Sequence, residues 1–382
     1  MRIALDATPL ISDNMSGVGY CEVGQLNALA EAHPEDIYTL QYFTGRDDAK
    51  KKQRLAPYCR DNVKTFGAPA SGYLYRVAST FLPISYSKYF GTSAQVTHFF
   101  NYIVYPKVAG KIVVTVHDMV YKRYPETVNN RTQIMLDLGL KKSLKRADVI
   151  VTDSAFSKSE IQTFFPDAAE KIQVVYCGVD ATRFHPIEDP ASVQAVREKY
   201  ALDRPYFLYL GNVEPRKNLS RLIEGYAQFA DKYDDAPYLV LAGGKGWKDS
   251  GIYESVSSLH LEDQVKFTGY VPEADLCPLQ CGAIAFVFPS IYEGFGLPPL
   301  EAMACGVPVL TSTEASLPEV VGDDAILVDP YHPEAIADGL SRLYEDADLR
   351  AKLSAAGLAR AKKFTWEKSA AKLHAIYEDL CV

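Results

Sequence analysis

The sequence predicts an α/β protein of two doubly wound parallel-sheet domains in tandem. Three observations carry this. Short apolar runs of strand length alternate with amphipathic helical patterns through both halves, the rhythm of parallel sheets covered by helices on both faces. The rhythm breaks once, near residues 178–186, where an irregular stretch with Asp and Pro reads as an interdomain connection. At 382 residues the chain exceeds the size at which one hydrophobic core keeps growing.

The first half begins with a buried strand at residues 3–7. The stretch Ser16-Gly-Val-Gly-Tyr20 then opens a helix that turns Val23, Leu26 and Leu29 toward a core, a first Rossmann-like unit. Gly17, Gly19 and Gly24 do not form the dinucleotide fingerprint, which needs a third glycine three residues after the second, so a dehydrogenase is disfavoured. Two uses for Gly17 and Gly19 fit: a tight strand-to-helix turn, or close backbone approach to a ligand. Further strands are expected at 37–43, 63–66, 96–100, 112–117, 149–153 and 172–176. A helix over about 131–146 ends in Lys141, Lys142, Lys145 and Arg146, cations that complement the helix dipole.

His117 sits at the carboxyl end of an apolar strand, where α/β sheets place ligands, and a lone histidine there is as readily structural as catalytic. Asp118 either orients it or caps the next turn of chain. Residues 72–90 are rich in aromatics, and Phe99, Phe100, Tyr102 and Tyr105 come soon after. Core packing, sugar contact and membrane-headgroup contact all fit such rings. Lys50-Lys-Lys-Gln-Arg54 reads as a solvated charge run or a headgroup patch.

After a linker at 179–185, a strand at 206–210 restarts the rhythm and runs into Gly211-Asn-Val-Glu-Pro-Arg-Lys-Asn218. The next helix places Leu219, Leu222, Ile223 and Tyr226 on one face. Strands at 239–242, 265–267, 283–288, 307–310 and 326–328 complete a second sheet. Ser316-Leu-Pro-Glu319 matches an S-x-x-E capping box, which makes Glu319 structural. A final helix runs over about 367–380, its start anchored by Trp366. The domains expected are 1–178 with 366–382, and 186–365.

The most informative stretch runs from Phe288 to Gly306. An apolar strand stops at Pro289, the turn Gly294-Phe295-Gly296 comes next, and a short helix begins with Pro298 and Pro299 and ends before Gly306. A strand, a tight loop and a helix N-terminus make an anion site. Glu293 and Glu301 frame it, and since carboxylates repel phosphate they should face hydroxyls. A nucleotide diphosphate sugar has both kinds of group. Taken singly, each glutamate also reads as a helix-terminal or solvated charge. Arg216 and Lys217 precede a helix start, an unfavourable place for cations unless an anion binds there. A diphosphate leaving group is such an anion, and fixed cations stabilise the charge it gains in the transition state.

Pro-Ser-x-Tyr-Glu-Gly-Phe-Gly-Leu-Pro, with Glu293-x7-Glu301, resembles the donor-site signature of the retaining glycosyltransferases of family 4, which share the GT-B fold of two Rossmann-like domains facing a cleft. The resemblance implies that Glu293 contacts hydroxyls of the donor sugar and Glu301 the nucleotide ribose. Gly294, Phe295, Gly296 and the amide of Leu297 would meet the diphosphate and sugar. Lys217 matches the family lysine, whereas Asn212 stands where the family often has arginine, and Arg216 would supply the missing charge. His117 matches a histidine whose backbone and ring meet the donor sugar. Gly17 and Gly19 would lie beside the diphosphate and acceptor, with Tyr20-Cys21 where the family often has Arg-Tyr. Backbone near Gly269 would border the nucleobase, and Tyr270 would stack on it or close the sheet edge. The last helix would cross back onto the first domain.

The resemblance further implies front-face transfer of a sugar with retention, without a metal or other cofactor, from donor in the second domain to acceptor in the first. The Glu-Pro-Arg-Lys-Asn form of the cationic loop resembles envelope-polysaccharide mannosyltransferases, which puts GDP-mannose first and UDP-hexoses second as donors. The acceptor would be a glycan or a lipid-linked sugar, with peripheral contact at the inner membrane. An epimerase or phosphorylase on the same plan, and a non-catalytic nucleotide- or glycan-binding subunit, are the rival readings. A net charge of −8 argues against a nucleic-acid partner. No apolar run of about 18 residues suggests a membrane span. Asp6 interrupts any signal peptide, and seven scattered cysteines fit a reducing cytoplasm. Cys277-x3-Cys281 has the look of a metal pair, but no second pair or neighbouring histidine completes it in the sequence, so no metal is expected.

Overall fold

A computed structural model describes residues 1–13, 15–45, 47–244 and 250–382. The chain divides into two units, Met1–Gly178 with Trp366–Val382, and Val179–Thr365. Residues 179–185, expected as a linker, are part of the second unit: Val179 N–H donates to the Phe364 carbonyl at 3.1 Å, and Arg183 pairs with Glu273 at 2.8 Å.

The first unit holds a seven-stranded sheet in the order β3-β2-β1-β4-β5-β6-β7. The strands are β1 (Arg2–Asp6), β2 (Ile37–Phe43), β3 (Val63–Ala68), β4 (Val96–Phe99), β5 (Lys111–Thr115), β6 (Val149–Thr152) and β7 (Ile172–Val174), all parallel. Strand order reverses between β1 and β4. His117, expected inside its strand, lies two residues beyond β5, in the loop at the carboxyl end of the sheet. Buried apolar side chains from both faces of this sheet form the core, as its helix-covered architecture requires.

The C-terminal helix Trp366–Cys381 belongs to this unit and packs on the helix Gly17–Ala32. Gly24 makes the contact: a Cβ there would sit 2.2 Å from the Trp366 ring, so only glycine lets the indole lie against the helix. Gln25 donates to Ser369 at 3.0 Å, His98 meets the Tyr377 hydroxyl at 2.7 Å and His374 meets Asp36 at 2.8 Å. Gly17 and Gly19, expected in a loop, lie in the first turn of their helix. Gly17 faces open space, while Gly19 is buried against Met15.

The aromatic segment divides in two. Tyr75, Tyr86 and Phe90 are buried with Phe99 and Tyr105, whereas Tyr73, Leu74, Val77 and Phe81 on the helix Gly72–Phe81, and Leu82 after it, are exposed. The basic run lies on the helix Asp48–Leu55, and its cations are engaged within the protein: Lys50 and Arg54 with Asp13, Lys52 with Asp48, and Lys51 with the carbonyls of Phe43 and Thr44. Lys50 and Lys52 remain 60% and 63% exposed, as a solvated charge run requires.

The second unit holds a six-stranded parallel sheet in the order β10-β9-β8-β11-β12-β13. Its strands are β8 (Tyr206–Leu210), β9 (Tyr238–Ala242), β10 (Val265–Gly269), β11 (Ala285–Phe288), β12 (Val309–Ser312) and β13 (Ile326–Val328). Two starts are later than the sequence pattern suggests. Ala283 N–H closes the preceding helix on the Gln280 carbonyl, and Val307 N–H turns back to the Ala302 carbonyl. Each therefore ends a helix instead of opening a strand. Strand order reverses here between β8 and β11, and ligands of open α/β sheets bind at such switch points beyond the carboxyl ends.

Candidate active site

The loops after β8 and β11 carry the two charged motifs, and the switch point brings them together. After β8 the short 3₁₀ turn Pro215–Lys217 presents Arg216 and Lys217, and Asn218 comes next in the left-handed conformation, φ 63°. Asn218 tolerates that geometry better than most residues and bridges neighbouring loops, its Nδ2 donating to the carbonyls of Pro289 at 3.1 Å and Pro330 at 2.6 Å. After β11 the chain turns through Ser290 to Glu293.

Glu293 receives both cations. Lys217 Nζ lies 2.6 Å from Glu293 Oε1, and Arg216 Nη1 lies 2.8 Å from Glu293 Oε2. The Ser290 hydroxyl donates to Glu293 Oε1 at 2.6 Å. Arg216 also pairs through Nε with Glu214 at 3.2 Å, and its carbonyl accepts the Ile291 N–H at 2.9 Å, which ties the two loops. Lys217 and Glu293 are each only 7% exposed, so their charges are held by one another and not by water. Burial pushes the Lys217 ammonium down, the Arg216 charge pushes it further, and Glu293 opposes both. Burial would raise the Glu293 carboxyl, but Arg216 and Lys217 override it and hold it at about 2. The Lys217 ammonium also lies 4.7 Å from the centre of the Phe288 ring.

The glycine turn is fixed from beneath. Gly296 has φ 115°, a conformation that needs glycine, and Phe295 is buried against Phe364. Ser316, expected as a helix cap, makes no cap; its hydroxyl lies 2.9 Å from the Glu293 carbonyl and 2.7 Å from that of Phe295. The capping-box reading fails because Ser316 adopts helical φ and ψ, unlike an extended cap, and its side chain turns to the glycine loop. The helix Leu297–Ala304 starts with few free donors: Pro298 and Pro299 lack N–H groups, and Leu300 N–H turns to the Gly296 carbonyl at 3.5 Å. Loop amides therefore outweigh the helix terminus.

Glu301 stands one turn into that helix, partly exposed. Burial pushes its carboxyl up to about 7, with the Arg183 charge pulling the other way. Asn212 is exposed beyond β8. Gly269 ends β10 with open space around it, and Tyr270 is 76% exposed, so its ring closes no sheet edge and is available for stacking.

In the first unit, His117 bridges three strand ends. Its Nδ1 lies 2.6 Å from Asp153 beyond β6, and its Nε2 lies 2.7 Å from the Phe100 carbonyl beyond β4. Burial alone would lower its pKa, but the Asp153 charge and hydrogen bond raise it to about 10. Both ring N–H groups are engaged, and the His117 carbonyl accepts from Ser157 at 2.9 Å. Both ring nitrogens are thus engaged within the protein, by Asp153 and by the Phe100 carbonyl. Asp118 caps instead of orienting: its Oδ1 accepts from Val120 N–H and from the Tyr102 hydroxyl, both at 3.1 Å. Sequence reasoning missed Ser290, Glu214, Asn218, Ser316 and Asp153. Ser290, Glu214 and Asn218 lay inside the quoted motifs without a role, Asn218 with the further signal of an Asn between a Pro-initiated turn and a helix.

The chain matches two known family models. Glycosyltransferase Family 4 matches residues 26–183, and Glycosyl transferases group 1 matches residues 193–360. The chain is 39% identical over 260 residues to the O-antigen chain mannosyltransferase B of Escherichia coli, 67% of each chain. It is 32% identical over 270 residues to the serotype-specific mannosyltransferase WbdA of Escherichia coli, 69% of this chain but 33% of that one. The sucrose-phosphate synthase of Thermosynechococcus elongatus shares the fold with a TM-score of 0.77 at 22% identity, over 100% of this chain and 99% of that one.

Proposed function

The chain belongs to the group 1, family 4 glycosyltransferases, with the GT-B fold, and on that premise we propose that it is a retaining mannosyltransferase of envelope-polysaccharide synthesis that uses a nucleotide diphosphate sugar. The observation that carries this reading is the knot of Arg216, Lys217 and Glu293 on the two switch-point loops of the second unit. Two preorganised cations suit a diphosphate that gains charge as it leaves, and they act in a buried setting where such charges are worth most. Glu293 neutralises them when no anion is bound. With a donor present, the diphosphate shares the cations and the carboxylate turns toward sugar hydroxyls.

Around that knot, the amides of Gly294, Phe295, Gly296 and Leu297 meet the diphosphate, Glu301 accepts from the ribose hydroxyls and Tyr270 stacks on the base. Asn212 and Gly269 border the nucleotide. In the first unit exposed Gly17 faces the acceptor side with Gly19, buried against Met15, behind it, and His117, held charged by Asp153, positions the loop beyond β5. The acceptor hydroxyl approaches from the face of the leaving group. A diphosphate oxygen takes its proton, the sugar–phosphate bond breaks as the glycosidic bond forms, and configuration is retained. Arg216 and Lys217 supply the charge that a metal would otherwise supply, so turnover does not require added Mg²⁺.

GDP-mannose is the first donor to test, on the strength of the mannosyltransferase relatives. Thermal unfolding with GDP, UDP and ADP, beside Glu301→Ala, separates the bases: a diphosphate at a hundred times its Kd stabilises by roughly 2.7 kcal/mol. One base should shift the wild type and barely shift the variant. Turnover with the matching sugar donor then distinguishes a glycoside of retained configuration from an epimerised sugar or a sugar phosphate. No response to any base would remove the donor-site reading.

A lipid-linked acceptor accords with the helix Gly72–Phe81, where Leu74 and Phe81 are 65% and 71% exposed. Ile134 and Leu138, on the helix Asn130–Arg146, are exposed too, and Arg131 of that helix lies over the Tyr73 ring at 5.0 Å. No helix among the described residues is long and apolar enough to cross a membrane, so contact would be peripheral. Co-sedimentation with anionic vesicles should be lost in Leu74→Glu, Phe81→Glu; equal recovery with and without lipid would remove this part.

A further inference from the structure

The second unit gathers three cysteines that the sequence keeps apart. Cys277 and Cys281 lie one turn apart on the helix Glu273–Cys281, and Cys305 caps the far end of the helix Leu297–Ala304, opposite the glycine turn. Their sulfur atoms all lie within 4.8 Å of one another, and the Cys277 and Cys305 sulfurs are 3.8 Å apart. The fold brings a third cysteine to the Cys277-x3-Cys281 pair, 24 residues after Cys281 in the chain, a neighbour the sequence spacing does not show.

We infer that Cys277, Cys281 and Cys305 form a thiolate site for a divalent metal ion of the zinc class. A tetrahedral ion with metal–sulfur bonds of about 2.3 Å sets its sulfurs about 3.8 Å apart, the spacing of the Cys277–Cys305 pair. Cys277 and Cys305 are buried and Cys281 is half-exposed, which gives water a route to the fourth position.

An independent observation points the same way. Gln280 is fully buried; its Oε1 accepts from the Cys305 thiol at 3.2 Å, while its Nε2 has no partner among the described residues. Turning the amide over presents an N–H donor to the Cys305 sulfur, which suits a metal-bound thiolate, and leaves Oε1 in the partnerless position in place of Nε2. The Cys277 and Cys281 thiols donate to the His185 carbonyl at 3.2 and 3.5 Å. On binding, three S–H bonds give their protons to water and three metal–sulfur bonds form, with no change of oxidation state. A Cys277–Cys305 disulfide would need an oxidant and would leave Cys281 unused. The ion would clip the helix that carries Glu301 to its neighbour, independently of the donor chemistry.

The test uses the full chain, reduced and stripped of metal, titrated with Co²⁺ and then Zn²⁺. The expected result is a tetrahedral thiolate–cobalt visible spectrum saturating at one equivalent and abolished by Zn²⁺. Cys281→Ser and Cys305→Ser should each weaken Co²⁺ binding at least tenfold, while Cys59→Ser with Cys381→Ser, both exposed positions, should leave it intact. Unfolding curves on each variant separate loss of a ligand from loss of the fold, and half-exposed Cys281 decides the matter if Cys305→Ser fails to fold. No such spectrum in the wild type, or a spectrum that survives both single variants, would overturn the site.

Discussion

Lys217 and Glu293 illustrate how little a single residue decides alone. Each is buried, each would be costly as an isolated charge, and each is countered by the other, with Arg216 and Ser290 also holding the Glu293 carboxylate. Removing the lysine charge should cost leaving-group stabilisation: Lys217→Ala is expected to lower kcat by about 10²-fold, on the scale of lost oxyanion donors, and a loss below about tenfold would speak against the role. Glu301 makes a pH prediction. With its carboxyl at about 7, the ionised form, which under the proposed ribose contact would accept the sugar hydroxyls, is depleted on acidification. Nucleotide affinity should fall about tenfold from pH 8 to pH 6, and Glu301→Gln should bind weakly with a flat profile. Calorimetry at both pH values checks this, and a flat wild-type profile would count against the ribose contact.

At the scale of elements, the C-terminal helix is the clearest dependence. It adds Ala370, Leu373, Ile376 and Tyr377 to the core of the first unit, and it docks only because Gly24 leaves room for Trp366. Gly24→Leu would drive a side chain into the indole, so the helix must lift. The expected loss is about 3 kcal/mol or more by urea unfolding, the scale of severe overpacking, whereas Gly17→Ala, which meets open space, should stay within about 1 kcal/mol. Similar losses in the two would show that the helix docks some other way.

For the molecule as a whole, stability should depend on pH through carboxyls that folding perturbs in opposite directions. Glu22 is fully buried, neither of its oxygens has a hydrogen-bond partner among the described residues, and burial holds its pKa well above the ordinary 4.5, with Asp6 adding to the rise. A carboxyl raised on folding stabilises fully below its unfolded value and loses that contribution as pH rises through the folded one; Glu301 behaves alike between 4.5 and about 7. Glu293 runs the other way, its contribution present above 4.5 and lost as pH falls toward about 2. Glu22→Gln should therefore gain on the wild type between pH 5 and pH 8, each tenfold in proton affinity being worth about 1.4 kcal/mol. Denaturant midpoints at the two pH values measure it; a constant difference would mean that Glu22 does not titrate on folding.

Much of this molecule was legible along the chain. The alternation of strand and helix, the break near residue 178, and the choice of Arg216, Lys217 and Glu293 as candidate groups come from local pattern, because apolar period and turn chemistry are written within a few residues of each other. The tertiary structure decided what those groups touch. Asp153 takes the His117 ring, Ser316 braces the glycine turn instead of capping a helix, and Cys305 joins Cys277 and Cys281. Such contacts join residues 21 to 36 positions apart through the ends of neighbouring strands and helices. Sequence spacing carries no information about them, because parallel strands are brought side by side only by long crossovers, and the sheet order, not the chain order, sets who meets whom.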